Sequence, residues 1–175
     1  MEGVDIFVYD IQDVGARYYT YMWTLTYTIE VLAQLGKKLI VFDRPNPLGR
    51  KIEGCPLTFN IGLTGRLLPG QSLSLPIRYG LTVGEFIKYE SRYLPKFDFE
   101  VVTMGDKMYE IKDEEWVMSS PNMPTLGTVH VYAGMGLIEG TSISEGRGTT
   151  KPFQLTGYPG INAKKLVEMV RSGVG

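Results

Sequence analysis

Val4-Asp5-Ile6-Phe7-Val8-Tyr9-Asp10-Ile11 and, some thirty residues on, Lys38-Leu39-Ile40-Val41-Phe42 decide the fold class. The first stretch is β-branched and aromatic with aspartate only toward its margins, the composition of a buried strand. Between the two stretches, Val14, Tyr18, Met22, Leu25, Ile29 and Leu32 recur every three or four residues. That spacing is one apolar face of a helix, which Gly36 closes with a left-handed cap. The second stretch is apolar after its lysine, a second strand. Strand, helix and strand in succession form a βαβ unit, and a right-handed crossover makes its strands parallel. The expected class is therefore α/β.

Working outward, residues 43–80 are rich in Gly and Pro and read as irregular, with short strands near 57–63 and 75–78. Thr82-Val83-Gly84-Glu85 fits a capping box and opens a helix to about Tyr93. Phe99 to Met104 is a third strand, and Trp116 to Thr128 is loop-like. Val129 to Ile138 suits either a strand or a short helix. Gly140 to Gly160 is a glycine-rich loop, and Asn162 caps a helix from Ala163 to about Arg171. Only three residues precede the first strand, and a parallel strand wants neighbours on both sides. The chain thus reads as a piece of a longer protein; the alternative is a small complete domain whose first strand is an edge.

Composition narrows the function. Lys plus Arg number 18 against 19 Asp plus Glu, a formal charge of -1, without the basic excess of a broad nucleic-acid surface. One cysteine, Cys55, rules out an intrachain disulfide framework, and one histidine, His130, rules out a two-histidine zinc motif. No apolar run approaches the roughly 20 residues of a membrane-spanning helix, and no basic region followed by an apolar stretch opens the chain.

Ligands of parallel α/β sheets bind beyond the carboxyl ends of the strands. The first strand ends in Asp10-Ile11-Gln12-Asp13-Val14-Gly15-Ala16-Arg17, the second in Asp43-Arg44-Pro45-Asn46-Pro47. If the strands are neighbours, Asp10, Asp13, Asp43 and Arg44 share one edge, which suits a polyhydroxylated ligand or acid–base chemistry. The bland alternatives are that Asp13 caps the following helix and that Asp43 and Arg44 form a local ion pair. Two prolines stiffen the loop that presents Arg44 and Asn46. Ser120-Pro121-Asn122-Met123-Pro124-Thr125 repeats the device, and amides both donate to and accept from sugar hydroxyls and acetamido groups. A third concentration, Glu139-Gly140-Thr141-Ser142-Ile143-Ser144-Glu145-Gly146-Arg147-Gly148-Thr149-Thr150, sets two carboxylates, an arginine and several hydroxyls on a glycine-freed backbone. It lacks the Gly-Lys-Ser/Thr of a P-loop, and no Gly-x-Gly-x-x-Gly follows the first strand. No metal-ligand spacing is recognisable among Asp10, Asp13, Glu139 and Glu145, so neither metal nor cofactor is expected. His130 sits in an apolar run and reads as structural, and Cys55 as incidental. Of the aromatic run Tyr18, Tyr19, Tyr21 and Trp23, only the helix start at Tyr18–Tyr21 lies near the strand edge.

Taken together, these motifs resemble the NamZ family of exo-β-N-acetylmuramidases, long a domain of unknown function. They are Asp10 to Tyr21, Asp43 to Pro47, Tyr79-Gly80-Leu81-Thr82-Val83-Gly84-Glu85, Ser120 to Thr125 and Glu139 to Thr150, in register over essentially the whole chain. The resemblance implies a Rossmann-like domain joined to a smaller C-terminal one. It also implies a glycosidase that removes terminal N-acetylmuramic acid from peptidoglycan fragments. On that basis residues 1–150 are the cleft-forming region, its upstream part missing, and 151–175 begin the C-terminal subdomain. Asp10, Asp13 and Glu145 are the catalytic candidates. Arg17, Tyr18, Asp43, Arg44, Asn46, Asn122, Glu139, Arg147 and Thr149 are the substrate-binding ones, with arginine forks suited to the lactyl carboxylate. Departures are visible: members are about twice as long, their upstream Pro-Glu-His-Gly motif is absent, Tyr79 stands where many carry His, and Met118-Ser119 where prolines are common. A separate chain completing the domain, a non-catalytic sugar-binding fragment and a nucleotide- or phosphate-binding protein using Gly146-Arg147-Gly148 remain open. Relatives are often exported to the cell envelope, but this chain carries no signal that locates it. Its expected partner is a muramic-acid-containing saccharide, with neither nucleic acid nor membrane.

Overall fold

A computed structural model describes residues 3–56, 75–107 and 111–173. They form two compact units, Met1–Ser119 and Ser120–Gly175, taken here in turn.

The first unit is built on a parallel sheet of three strands, β1 (Ile6–Tyr9), β2 (Lys38–Phe42) and β3 (Phe99–Val102), in the order β1-β2-β3. Register places Phe7 beside Leu39 and Leu39 beside Phe99, then Tyr9 beside Val41 and Val41 beside Val101. Side chains alternate across a strand, so these six share a face. Against it pack α1 (Tyr21–Leu35), through Met22, Leu25, Ile29 and Leu32, and α2 (Val83–Glu90), through Val83, Phe86 and Ile87. This is the expected α/β class, an incomplete Rossmann-like domain with part of a second, smaller one.

Element boundaries show where local pattern yields to tertiary structure. The α1 periodicity begins at Val14, yet the helix starts only at Tyr21. Val14 and Tyr18 belong instead to a stretch tied back across the fold, where the Arg17 amide donates to the Ile77 carbonyl at 2.9 Å. Gly36 ends α1 in the left-handed region at φ 62°, as its position predicts. The α2 capping box is complete: Thr82 Oγ1 accepts from the Glu85 amide at 3.1 Å, and the Glu85 carboxylate accepts from the Thr82 amide at 3.0 Å. The expected strand at 75–78 is reduced to isolated bridges from Arg78 to Ala16 and Glu53. The one expected near 57–63 lies outside the described residues.

In the second unit, α3 (Leu126–Met135) settles the ambiguous apolar stretch as helix. It begins inside the segment read as a loop, because Thr125 caps it by accepting from the Thr128 amide at 3.1 Å. Val129 and Tyr132 are buried, and Tyr132 meets the Phe153 ring edge-on at 4.7 Å. The glycine-rich segment that follows is pinned where Ser144 bridges Gly157. Helix α4 (Ala163–Gly173) starts as expected, the Asn162 side chain accepting from the Lys165 amide at 3.0 Å.

Candidate active site

The carboxyl ends of β1 and β2 lie side by side and deliver the first group of candidate residues. Arg44 bridges to Asp10 at 2.7 Å, so the second loop's guanidinium is paired across to the first loop and not to its neighbour Asp43. Gln12 ties the loops further, its amide donating to the carbonyls of Asp13 at 2.7 Å and Pro45 at 3.0 Å. Gln12 and Arg44 line a hollow of about 190 Å³ with Pro45, Met104, Ile111, Glu115 and Val117. Enclosed ligand pockets are usually ~300–1,000 Å³, so this is a partial cleft. Gln12, Met104 and Glu115 were not singled out as candidates; Gln12 alone lay inside a quoted motif.

Asp13 lies deeper. It is buried, accepts from the Gly15 amide at 2.7 Å, and receives the Tyr79 hydroxyl on the same oxygen, Oδ1. Among the described residues Oδ2 has no hydrogen-bond partner. Burial is the main influence and pushes the carboxyl up to about 6, with the bonds from Tyr79 and Gly15 pulling the other way. Burial and the nearby Asp13 charge also raise the phenols of Tyr79 and Tyr9 above their ordinary range. A space of about 10 Å³ beside Asp13, lined also by Arg44, Asn46, Tyr79 and Thr82, has room for no more than a single water. The α1 N-terminus lies farther along the chain, so Asp13 does not cap it. Tyr79 was legible only as a departure from a motif; no local pattern links it to a residue 66 positions away.

Asp43 and Asn46 hold the scaffold together. Asp43 Oδ1 accepts from the Gly84 amide and Oδ2 from the Thr82 hydroxyl, each at 2.8 Å, which anchors the start of α2 to the end of β2. Asn46 donates to the Leu81 carbonyl at 3.0 Å and accepts from the Leu48 amide at 2.9 Å. Gly15, at φ 78°, lets that amide in: a Cβ there would collide with Asn46. Arg17 donates to the carbonyls of Cys55 at 2.9 Å and of Leu75. Tyr18 is half-buried, and the neighbouring Tyr19 and Tyr21 reach Ser119, at 3.0 Å each.

The second unit gathers its own candidates. Arg147 pairs with Glu139 at 2.7 Å and Glu145 at 3.5 Å, with its guanidinium 5.2 Å from the Phe153 ring centre. Phe153 is buried at φ 59°, a strained backbone for a bulky side chain. The Phe153 amide donates to the Glu145 carbonyl at 2.7 Å, which fixes ring and carboxylate together. Thr149 donates to the Gly146 carbonyl at 2.6 Å, and Asn122, half-buried, has its amide held by Ser120 Oγ at 3.1 Å. With two carboxylates around it, Arg147 is a poor centre for a phosphate nest. His130 bonds the Leu126 carbonyl one turn back at 2.8 Å, as a structural histidine does. Among the described residues no group of three or more His, Cys, Asp or Glu could hold a metal ion, and no helix is long and apolar enough to cross a membrane.

Comparison with known proteins supplies the context for these two clusters. The peptidoglycan beta-N-acetylmuramidase NamZ of Bacillus subtilis is 40% identical over 98% of this chain, which spans 42% of that relative. Two solved DUF1343-family proteins of Bacteroides fragilis superpose with TM-scores of 0.81 and 0.75, at 29% and 34% identity. They match 98% and 91% of this chain, which spans 46% and 45% of theirs, so it is less than half the length of these relatives. The family models for the N-terminal and C-terminal parts of exo-beta-N-acetylmuramidase NamZ match residues 1–127 and 130–173 in succession. With the first covering well over half of the sequence, the chain belongs to the NamZ exo-β-N-acetylmuramidase family.

Proposed function

We propose that this chain contributes to the saccharide cleft of an exo-acting β-N-acetylmuramidase, which releases terminal N-acetylmuramic acid from peptidoglycan fragments. The observation that carries the reading is the 40% identity to the B. subtilis enzyme across nearly the whole chain. In the first unit, Asp13 is the carboxyl suited to handling a proton, because a group pushed up to about 6 keeps its proton into the mildly acidic range, where an ordinary carboxyl has lost it. Asp10 keeps Arg44 oriented at the rim, where the guanidinium meets a sugar carboxylate bidentately. Asp43, Asn46 and Arg17 serve the same cleft by holding its loops. In the second unit, Arg147 offers a guanidinium backed by Phe153, flanked by Glu139 and the further catalytic candidate Glu145. Most glycosidases use two carboxyl groups across the bond they cleave; on that pattern a partner for Asp13 would lie in the part of the family chain that this sequence does not match, on the same or a separate polypeptide.

The test is a chimaera in which this chain replaces its matching portion of the B. subtilis relative. It releases N-acetylmuramic acid from a chromogenic β-muramide, and Asp13→Asn lowers kcat about 100-fold or more. Calorimetric muramic-acid binding without turnover would select a sugar-binding module. A response to nucleotides alone would sink the proposal.

A further inference from the structure

Tyr79 reaches Asp13 across 66 positions of chain. A tyrosine oxygen lies on the axis of its ring, so its place is set by the backbone and one staggered torsion. The aim of the hydroxyl therefore depends on how residues 78–80 are held, and both neighbours of Tyr79 are fixed. Gly80, at φ 66°, is packed against the chain at Arg50, where an added Cβ would stand 2.6 Å from the carbonyl oxygen. Arg78 lies between two other segments, bridged on one side to Ala16 and on the other to Glu53. Its amide donates to the Glu53 carbonyl at 2.9 Å, and its carbonyl accepts from the Glu53 amide at 3.1 Å.

The Arg78 side chain repeats this hold. One guanidinium nitrogen, Nη1, donates to the Glu53 carboxylate, and the other, Nη2, to the Leu48 carbonyl. The Leu48 amide in turn donates to Asn46, the side chain packed against Gly15 beside Asp13. A planar guanidinium grips two acceptors at once, as a single ammonium does not. With 21% of its side chain exposed, Arg78 is no solvated partner in a loose surface pair. Lys51 and Arg78 together hold the Glu53 carboxyl below its usual range, so the brace stays charged while Asp13 titrates. Neither Arg78 nor Glu53 lines the hollow at Arg44 or the small space beside Asp13.

We propose that Arg78, braced by Glu53 and the Leu48 carbonyl, is a positioning residue that aims the Tyr79 hydroxyl at Oδ1 of Asp13. It acts through the backbone that carries Tyr79. The Tyr79 bond lowers the Asp13 carboxyl while burial raises it. A slackened Tyr79 thus leaves Asp13 holding its proton to higher pH. Among the described residues, the other charged or titratable groups facing Asp13 are Tyr9 of β1 and, across the small space, Arg44. That this carboxyl serves hydrolysis rests on the proposed function; its alignment by Arg78 does not.

The experiment follows the Asp13 carboxyl by carbon-13 NMR through a pH titration of this chain, without substrate. Arg78→Met, which keeps an apolar stem, moves the midpoint upward by roughly half a unit, and Arg78→Lys moves it less. In a Tyr79→Phe background Arg78→Met adds nothing, since the bond it aims is already gone. Loss of a positive charge by itself would shift both backgrounds alike, and that result would overturn the proposal. So would an unmoved midpoint in Arg78→Met whose far-UV circular dichroism matches wild type. Where Arg78→Met does not fold, Glu53→Gln decides: it leaves the arginine with a weaker brace, and its upward shift must vanish once Tyr79 is phenylalanine. No turnover is read, so a chimaera that fails to hydrolyse muramides counts against the proposed function alone.

Discussion

A carboxyl group sealed from water beyond the end of a strand gives up its proton late, and Asp13 does so with one oxygen accepting two hydrogen bonds and the other unpartnered among the described residues. Its folded value of about 6 lies above the unfolded 3.8, so its contribution to stability is full below 3.8 and is lost as pH rises through 6. The loss is on the order of 3 kcal/mol. Denaturant titrations from pH 4 to 7 are therefore expected to show the wild type losing stability in that window and Asp13→Asn losing far less; parallel curves would refute the burial argument. Tyr79 lowers the carboxyl by donating to it, so Tyr79→Phe moves the window upward, seen as a later midpoint when the Asp13 carboxyl is followed by NMR. If Asp13 delivers a proton in the chimaera, the alkaline limb of its rate profile falls near 6 and shifts up with the same substitution.

At the scale of the element, α2 shows how a short helix is fixed at a site. Its eight residues are too few to be stable alone, and its start is held by the capping box and by the two oxygens of Asp43. Thr82→Ala removes both a cap and a bond to a buried carboxylate, and a loss of about 1–2 kcal/mol is expected in urea unfolding. Gly84→Ala does more harm through space alone. Its Cβ would stand 2.5 Å from Asp43 Oδ2 and from Val101 Cγ1, forcing the helix off the sheet at a cost of about 1–3 kcal/mol. A midpoint unchanged from wild type would contradict that contact. The capping box was legible as four consecutive residues. That Asp43 would serve it from 39 positions upstream was not, because only the parallel crossover brings β2 to α2.

For the whole molecule, the half-exposed apolar sheet face of Ile6, Val8, Phe42 and Val102 dominates. A chain of average composition with a contiguous apolar patch is expected to bind anilinonaphthalene sulfonate when isolated. Val8→Lys combined with Ile40→Lys should cut that fluorescence by more than about half with the far-UV spectrum retained. An undiminished signal would place the apolar surface elsewhere, for example on α4, where Val167, Met169 and Val170 are also exposed. The parallel sheet and its helices were legible because period and handedness are local rules. That the two described helices between the strands share one side follows from strand order, which no single segment encodes.

By itself the sequence determined the βαβ start, the glycine and asparagine caps, the paired loops at the strand ends and the family, because each is written in neighbouring residues or in an ordered series of motifs. Tertiary structure alone decided which acids do what. Asp10 meets Arg44, Asp43 anchors a helix, and Asp13 meets a tyrosine and loses its water. Burial and pairing arise from residues distant along the chain, and the free energy of a charge depends on what surrounds it in space.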